Sequence, residues 1–285
     1  MAEQAATKSQ RQGSKAKIRP AAKWPGGKYY IAGWIAKKID AIPAKDRHTY
    51  VEPYGGMATV LMSLNPFPVE VYNDINPRCF RFFKVLRDHR EEFKRLVELT
   101  PYSEAEFKLA CTYKGATTDL EKARRDFVRW RMAIGGRDVG RAFSLSLHRT
   151  RGGICDNVNG YLSLIHKDLP RIVERLLRVQ ILQRDAEKVI QKFDSPQTVF
   201  YLDPPYLVDT RASDSLYEYE MTEDQHISLA KLLQGVKGKV LLSGNPSPLY
   251  SKLYKSWNTE VYPIANHLAG GKEKNRREEV LWMNF

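Results

Sequence analysis

A chain of 285 residues, 42% hydrophobic and 11% aromatic, can build one large α/β domain or one domain with an insertion, and is not disordered throughout. No run approaches the roughly 18 apolar residues of a membrane span, and the polar, basic first twenty residues lack a secretory apolar segment, so a cytoplasmic chain without a membrane partner is expected. Lys and Arg outnumber Asp and Glu by 46 to 33, a formal +13 that favours a polyanion such as nucleic acid.

Residues 1–19 set Lys8, Arg11, Lys15, Lys17 and Arg19 against Glu3 alone, which predicts a disordered tail, solubilising in preference to a DNA-gripping arm. After the Pro25-Gly26-Gly27 turn, Ile31, Trp34, Ile35 and Ile39 recur at helical spacing and predict a helix to about Asp40. A strand over 48–52 runs into Pro53-Tyr54-Gly55-Gly56. Met57 to Leu64 reads as a helix, and Val69 to Tyr72 as a second strand ending at Asn73-Asp74. Pro77 suits the first position of the helix that follows. Strand, glycine turn, helix, strand and acidic residue together open a nucleotide-binding α/β sheet.

That rhythm stops at residues 88–177, which read as mostly helical, with loops at Gly135, Gly136, Gly140, Gly152, Gly153 and Gly160. It resumes with a strand at 179–182, a helix over Ala186–Phe193 and the apolar strand Thr198–Leu202. Thr222-x-x-Gln225 is a capping box for a helix ending at Gly235. A buried strand, Lys239 to Ser243, and a closing pair over 257–263 and 279–285 complete the chain. The expectation is a Rossmann-like α/β sheet from residues 20–87 and 178–285, with an inserted, mainly helical domain at 88–177.

Charge follows this division. Between Cys111 and Arg184 there are 15 Lys and Arg against 7 Asp and Glu, a net +8, and the tail adds +4. Together they hold 12 of the 13 net charges, so the insert is expected to meet a polyanion. Three widely separated cysteines and six histidines without H-E-x-x-H spacing predict neither disulfides nor a metal site.

The sharpest motif is Asp203-Pro204-Pro205-Tyr206, directly after the strand Thr198–Leu202. Two prolines cannot continue a central strand, because both lack an N–H donor. A rigid strand-ending turn is one reading. The other is a ligand site, since open α/β sheets bind ligands at the carboxyl ends of their strands. A carboxylate, a fixed carbonyl and an aromatic face would suit a planar base carrying an amino group.

With Lys23-Trp24-Pro25-Gly26-Gly27-Lys28, Glu52-Pro53-Tyr54-Gly55-Gly56 and Tyr72-Asn73-Asp74-Ile75-Asn76 in this order, the chain resembles the Dam-type adenine DNA methyltransferases of the alpha group. Tyr219-x-Met221-Thr222-x-x-Gln225-His226 and the final Glu278-Glu279-Val280-Leu281-Trp282 extend the likeness. The resemblance implies S-adenosylmethionine as methyl donor, double-stranded DNA as partner, and a chain acting as a monomer or weak dimer. It gives catalysis to Asp203, Pro204, Pro205 and Tyr206. Asp203 and the Pro204 carbonyl would accept the two amine hydrogens and turn the lone pair towards the methyl group, while Tyr206 stacks on a flipped base.

Trp24, Lys28, Glu52, Tyr54, Gly56, Asp74, Asp185 and Asp203 are expected around the cofactor, Lys28 through its carboxylate and Asp74 through ribose hydroxyls. Asp74 alone also fits an Asx turn, and Asp185 equally fits an N-cap for the helix at Ala186. Ala58 stands where the family commonly has a further glycine. The family places its DNA-reading domain where this chain has its basic insert. Arg124, with Arg125, Arg129 and Arg131, could face phosphates from one helix, although Glu121 and Asp126 argue that some are ordinary surface pairs. Arg137, Arg141, Arg149 and Arg151 lie in or near glycine loops, with Asn157 and Asn159 able to read base edges. Cytosine-N4 methylation, RNA amino methylation and an inactive DNA-binding relative are the alternatives. Gly27-Lys28-Tyr29 is no Walker loop, and residues 54–59 contain no G-x-G-x-x-G.

Overall fold

The apolar runs of the sequence assemble into one seven-stranded sheet. In the computed structural model, residues 18–24, 26–136, 142–210, 218–264 and 277–285 are described. Residues 1–17 of the expected tail, Pro25, Arg137 and Arg141 lie outside them. The strands are β1 (Thr49–Glu52), β2 (Val69–Asn73), the short pair β3 (Thr150–Arg151) and β4 (Ile154–Cys155), β5 (Gln180–Leu182), β6 (Thr198–Leu202), β7 (Lys239–Gly244), β8 (Asn258–Ile264) and β9 (Arg277–Met283). The helices are α1 (Ala32–Asp40), α2 (Pro77–Asp88), α3 (Arg90–Glu98), α4 (Glu104–Ala110), α5 (Asp119–Met132), α6 (Asp156–Ser163), α7 (Leu169–Leu176), α8 (Ala186–Phe193), α9 (Glu223–Gln234) and α10 (Pro248–Leu253).

The sheet order is β5-β2-β1-β6-β7-β9-β8. The first five strands are parallel, whereas β9 runs antiparallel to both β7 and β8. From β1 the chain builds outwards to β2 and β5, then crosses back to place β6 on the other side of β1. That reversal opens a crevice at the carboxyl ends of β1 and β6, where sheets of this kind hold ligands. Every residue of β6 is buried, as expected of a central parallel strand.

Alternate strand residues feed two cores, following the period of two. Tyr50, Tyr72, Tyr201 and Leu241 face one layer with α1, α2, α3, α5 and α7, while Val51, Val71, Phe200 and Leu242 face α9 and α10. The first core runs without a break past residue 88. Phe82 of α2 meets Phe93 of α3 at 5.7 Å and Trp130 of α5 at 5.5 Å, and Phe127 meets Tyr161 of α6 at 5.8 Å. The segment expected as a separate helical insert thus shares its core with the sheet layer. The β3–β4 hairpin is largely exposed, while Phe143 in the segment before it packs against that core and meets Tyr102 at 5.2 Å.

Two sequence expectations are corrected. Met57 to Leu64 is not an α-helix: Ala58 has φ 51°, and only Leu61–Ser63 form a 3₁₀ turn. A residue in the left-handed region cannot begin a right-handed helix. Arg19, assigned to the tail, belongs to the folded body, its Nε donating to Asp168 Oδ2 at 2.6 Å and its Nη2 to Ser163 Oγ at 2.9 Å.

Candidate active site

Four parallel strand ends deliver the site. Glu52 closes β1, Asn73 closes β2 and leads into Asp74, Asp203 follows β6, and Ser243 is the penultimate residue of β7. Asn73, fully buried, ties the rim together. Its Nδ2 donates to the carbonyls of Pro53 and Arg184, both at 2.9 Å, and its Oδ1 accepts from Arg184 N at 2.8 Å. One cleft is lined by Trp24, Lys28, Glu52, Tyr54, Gly56, Asp74, Asp185, Asp203 and Pro205, so most of the expected cofactor and catalytic residues meet there.

The cofactor side is built by close backbone approach. A Cβ on Gly55 would lie 2.2 Å from the Tyr72 ring, and one on Gly56 (φ 48°) 3.0 Å from Trp24 Nε1, so both positions require glycine. Tyr72 donates its hydroxyl to the Gly56 carbonyl at 2.8 Å, and Asp74 Oδ2 accepts from Gly56 N at 2.7 Å. Asp74 Oδ1 accepts from Asn76 N at 2.8 Å, so the Asx turn is present as well as the position on the cleft. Burial raises the Asp74 carboxyl to about 6 against the pull of those two N–H groups. Glu52 Oε2 accepts from Tyr50 OH and Leu61 N, each at 3.1 Å, and burial raises its carboxyl to about 8. Asp185 likewise fills both expected positions: it caps α8 through Lys188 N at 3.1 Å and lines the cleft.

The acceptor side centres on Asp203. Its Oδ1 takes the Lys28 ammonium at 2.7 Å and the Ser243 hydroxyl at 3.0 Å, which leaves Oδ2 to the cleft. Among the described residues, no backbone N–H donates to the Pro204 carbonyl. Lys28, expected at a cofactor carboxylate, lines the cleft and is engaged with Asp203, with the Gly26 carbonyl at 2.7 Å and with Glu279 at 3.5 Å. Tyr206, expected to stack on a base, is 7% exposed and absent from the cleft lining. Its hydroxyl donates to Glu279 Oε1, and its ring centre lies 4.8 Å from Lys28 Nζ. The ring therefore anchors the turn from behind.

Ser243 and Glu279 receive no role from the sequence. Ser243 could have been found as the polar residue ending the strand beside β6, and Glu279 as the acid in the terminal motif. Glu218, Tyr219, Met221 and Gln225 also line the cleft. Glu218 accepts from Asn76 Nδ2 at 3.2 Å.

The expected phosphate-facing helix is mostly interior. Arg124 is buried and holds Glu121 and Glu106, with Nε–Oε2 at 2.7 Å and Nη1–Oε2 at 2.8 Å. Arg125 pairs with Glu121, and Arg129 with Asp126. This corrects Arg124 as a DNA contact, because its donors are committed to carboxylates of the fold. Among the described residues, Arg131 has a buried Nε without an acceptor, and burial, reinforced by Arg19, lowers its guanidinium to about 10. Arg149 and Arg151 are exposed on the hairpin, Arg151 with Asp156 at 3.0 Å. Asn157 spends its Nδ2 on the Ser144 carbonyl at 2.9 Å.

The chain is similar to several known proteins. The D12 class N6 adenine-specific DNA methyltransferase family matches residues 24–131 and 163–268. The Type II methyltransferase M1.LlaDCHI of Lactococcus lactis subsp. cremoris is 25% identical, over 96% of this chain and 98% of its own. The solved rRNA methyltransferase aviRa of Streptomyces viridochromogenes aligns at 13% identity and a TM-score of 0.36, over 89% of this chain and 84% of its own.

Proposed function

Because this chain belongs to the D12 class of N6 adenine-specific DNA methyltransferases, we propose that it methylates adenine at a specific site in double-stranded DNA, with S-adenosylmethionine as donor and the target base turned out of the duplex. The observation that carries this reading is Asp203 on the lining of the cleft that holds Glu52 and Asp74, its Oδ1 taken by Lys28 and Ser243 and its Oδ2 left over. The carbonyl of the adjoining Pro204, a buried residue not on that lining, is proposed as the second acceptor. An adenine amine offers two hydrogens. Two fixed acceptors orient it and turn its lone pair out of conjugation. Ser243 and Lys28 hold Asp203 from its other oxygen, so the acceptor is ordered before the base arrives.

The cleft suits the cofactor on its own chemistry. Gly55 and Gly56 line it with bare backbone, packed so closely on Tyr72 and Trp24 that no side chain fits, and Glu52, whose carboxyl burial raises to about 8, lines it as a hydrogen-bonding group. Trp24 supplies an aromatic wall, Asp74 acceptors for hydroxyls and Asp185 an acceptor further along the rim. When bound, S-adenosylmethionine supplies an electrophilic methyl group on a positively charged sulfur.

Residues 88–177 are proposed to read the DNA, chiefly through the hairpin bearing Arg149 and Arg151, with Asn157 beside it and Arg137 and Arg141 in the adjoining segment. A relative that is a Type II methyltransferase supports a restriction-linked role.

The test is labelled S-adenosylmethionine with mixed-sequence duplex DNA, followed by nucleoside analysis. N6-methyladenine is expected, and methylcytosine alone would overturn the adenine assignment. Asp203→Ala should lower transfer by at least about 10³-fold while DNA binding persists. Near-normal turnover would remove Asp203 from its role.

A further inference from the structure

Glu279 stands on β9, behind Lys28 and away from the cleft lining, yet it is 5% exposed and fully engaged. Its Oε1 accepts from Tyr206 and lies 3.5 Å from Lys28 Nζ, and the same ammonium is 2.7 Å from Asp203. One cation is thus held between two carboxylates with an aromatic ring against it. Burial raises the Glu279 carboxyl and the nearby Asp203 charge adds to that rise, while Lys28 and the Tyr206 hydroxyl oppose it by favouring the charged form.

Charge accounting gives this arrangement a purpose. The adenine nitrogen bonds to the methyl carbon with its own lone pair, and the carbon–sulfur pair leaves with sulfur. Positive charge therefore passes to the nitrogen until one proton is shed to water. Asp203 and Lys28 alone make a neutral pair and oppose one another's field at that nitrogen. A second carboxylate against Lys28 leaves the trio at a formal −1, in surroundings where low effective dielectric preserves the difference.

We propose that Glu279 is a positioning residue that neutralises Lys28, so that Asp203 presents an uncompensated negative charge to the nitrogen receiving the methyl group; this rests on the reading of Asp203 given above. Glu279→Gln keeps an acceptor for Tyr206 and removes only the charge. Under single-turnover conditions with saturating DNA and cofactor, E279Q should lose about 10- to 100-fold in rate. Its affinities for cofactor and DNA and its melting temperature should stay close to those of the unsubstituted protein. In a K28M background, where no cation remains to neutralise, the same substitution should have little effect.

Turnover by E279Q at the unsubstituted rate overturns the proposal, and is also what a protonated Glu279 would give. An equal loss in both backgrounds overturns it too. Should E279Q fail to fold, E279D keeps the charge while shortening the reach to Tyr206: retained rate supports the proposal, and a collapse of rate in a folded E279D assigns the effect to the Tyr206 bond instead. Absence of methyl transfer by the unsubstituted protein would defeat the methylation reading first, whereas an active E279Q defeats only this inference.

Discussion

Ala58 holds a backbone angle that glycine adopts freely: φ 51°, one residue beyond the Gly56-Met57 corner. A side chain in that region costs about 1–2 kcal/mol, and the position is where the resembling family commonly carries glycine. Ala58→Gly should therefore escape the usual penalty of added chain freedom, leaving stability unchanged or raised by up to about 1 kcal/mol. Denaturant melts check this, and a drop in stability greater than that would contradict it. Asp74 makes a second test. Its carboxyl is raised from an ordinary 3.8 to about 6, so ionisation costs folding free energy, and the associated stability fades as pH rises through that interval. Cofactor binding should run the other way, because ribose hydroxyls donate to the carboxylate. Calorimetry should find S-adenosylmethionine bound more tightly at pH 7.5 than at pH 5 by roughly tenfold, with Asp74→Asn flattening that dependence.

Helix α5 lies against α2 around one acid. Asp126, fully buried, accepts from Arg78 Nε at 3.0 Å, Arg81 Nη2 at 2.6 Å and Arg129 Nη2 at 2.9 Å, and Arg78 also lies over the Trp130 ring at 5.2 Å. Asp126→Ala would strand buried guanidiniums and should destabilise the protein by about 3–5 kcal/mol, read as a drop in denaturation midpoint. No spacing rule announces such a hub, since its members come from two helices. Arg124, Arg125 and Arg129 look in sequence like a phosphate-facing row, and their burial depends on Glu106, Glu121 and Asp126 meeting them in space. Strand β6 and helix α9 are readable because their ends carry physical stops: Asp203-Pro204-Pro205 for one, and for the other a capping box in which Thr222 and Gln225 bond reciprocally. Met57 to Leu64 has no such marks. An apolar run does not distinguish a helix from a buried coil of turns.

Across the whole molecule, the +13 charge is less available than its position along the chain implies. Within the basic segment Arg124, Arg125, Arg129 and Arg175 are buried in ion pairs, Arg175 with Glu70 of β2. The exposed cations of the β3–β4 hairpin remain. Reversing Arg149 and Arg151 to Glu should weaken DNA binding and flatten its salt dependence, by about 0.9 in log–log slope for each phosphate no longer neutralised, while cofactor affinity holds. Equal slopes for variant and unsubstituted protein would reject both arginines as phosphate ligands.

The site is readable one strand end at a time, through Glu52, Asp74 and Asp203. Its cross-connections are not, because Lys28 meets Asp203 and Glu279 only after the sheet closes. That long-range closure also divides the labour of the chain. A nick at the exposed Gly152–Gly153 turn would leave Trp24, Lys28, Glu52 and Asp74 on one fragment and Asp203, Ser243 and Glu279 on the other. Neither fragment holds both a donor cleft and an acceptor motif. Methylated DNA would then record the meeting of two polypeptides.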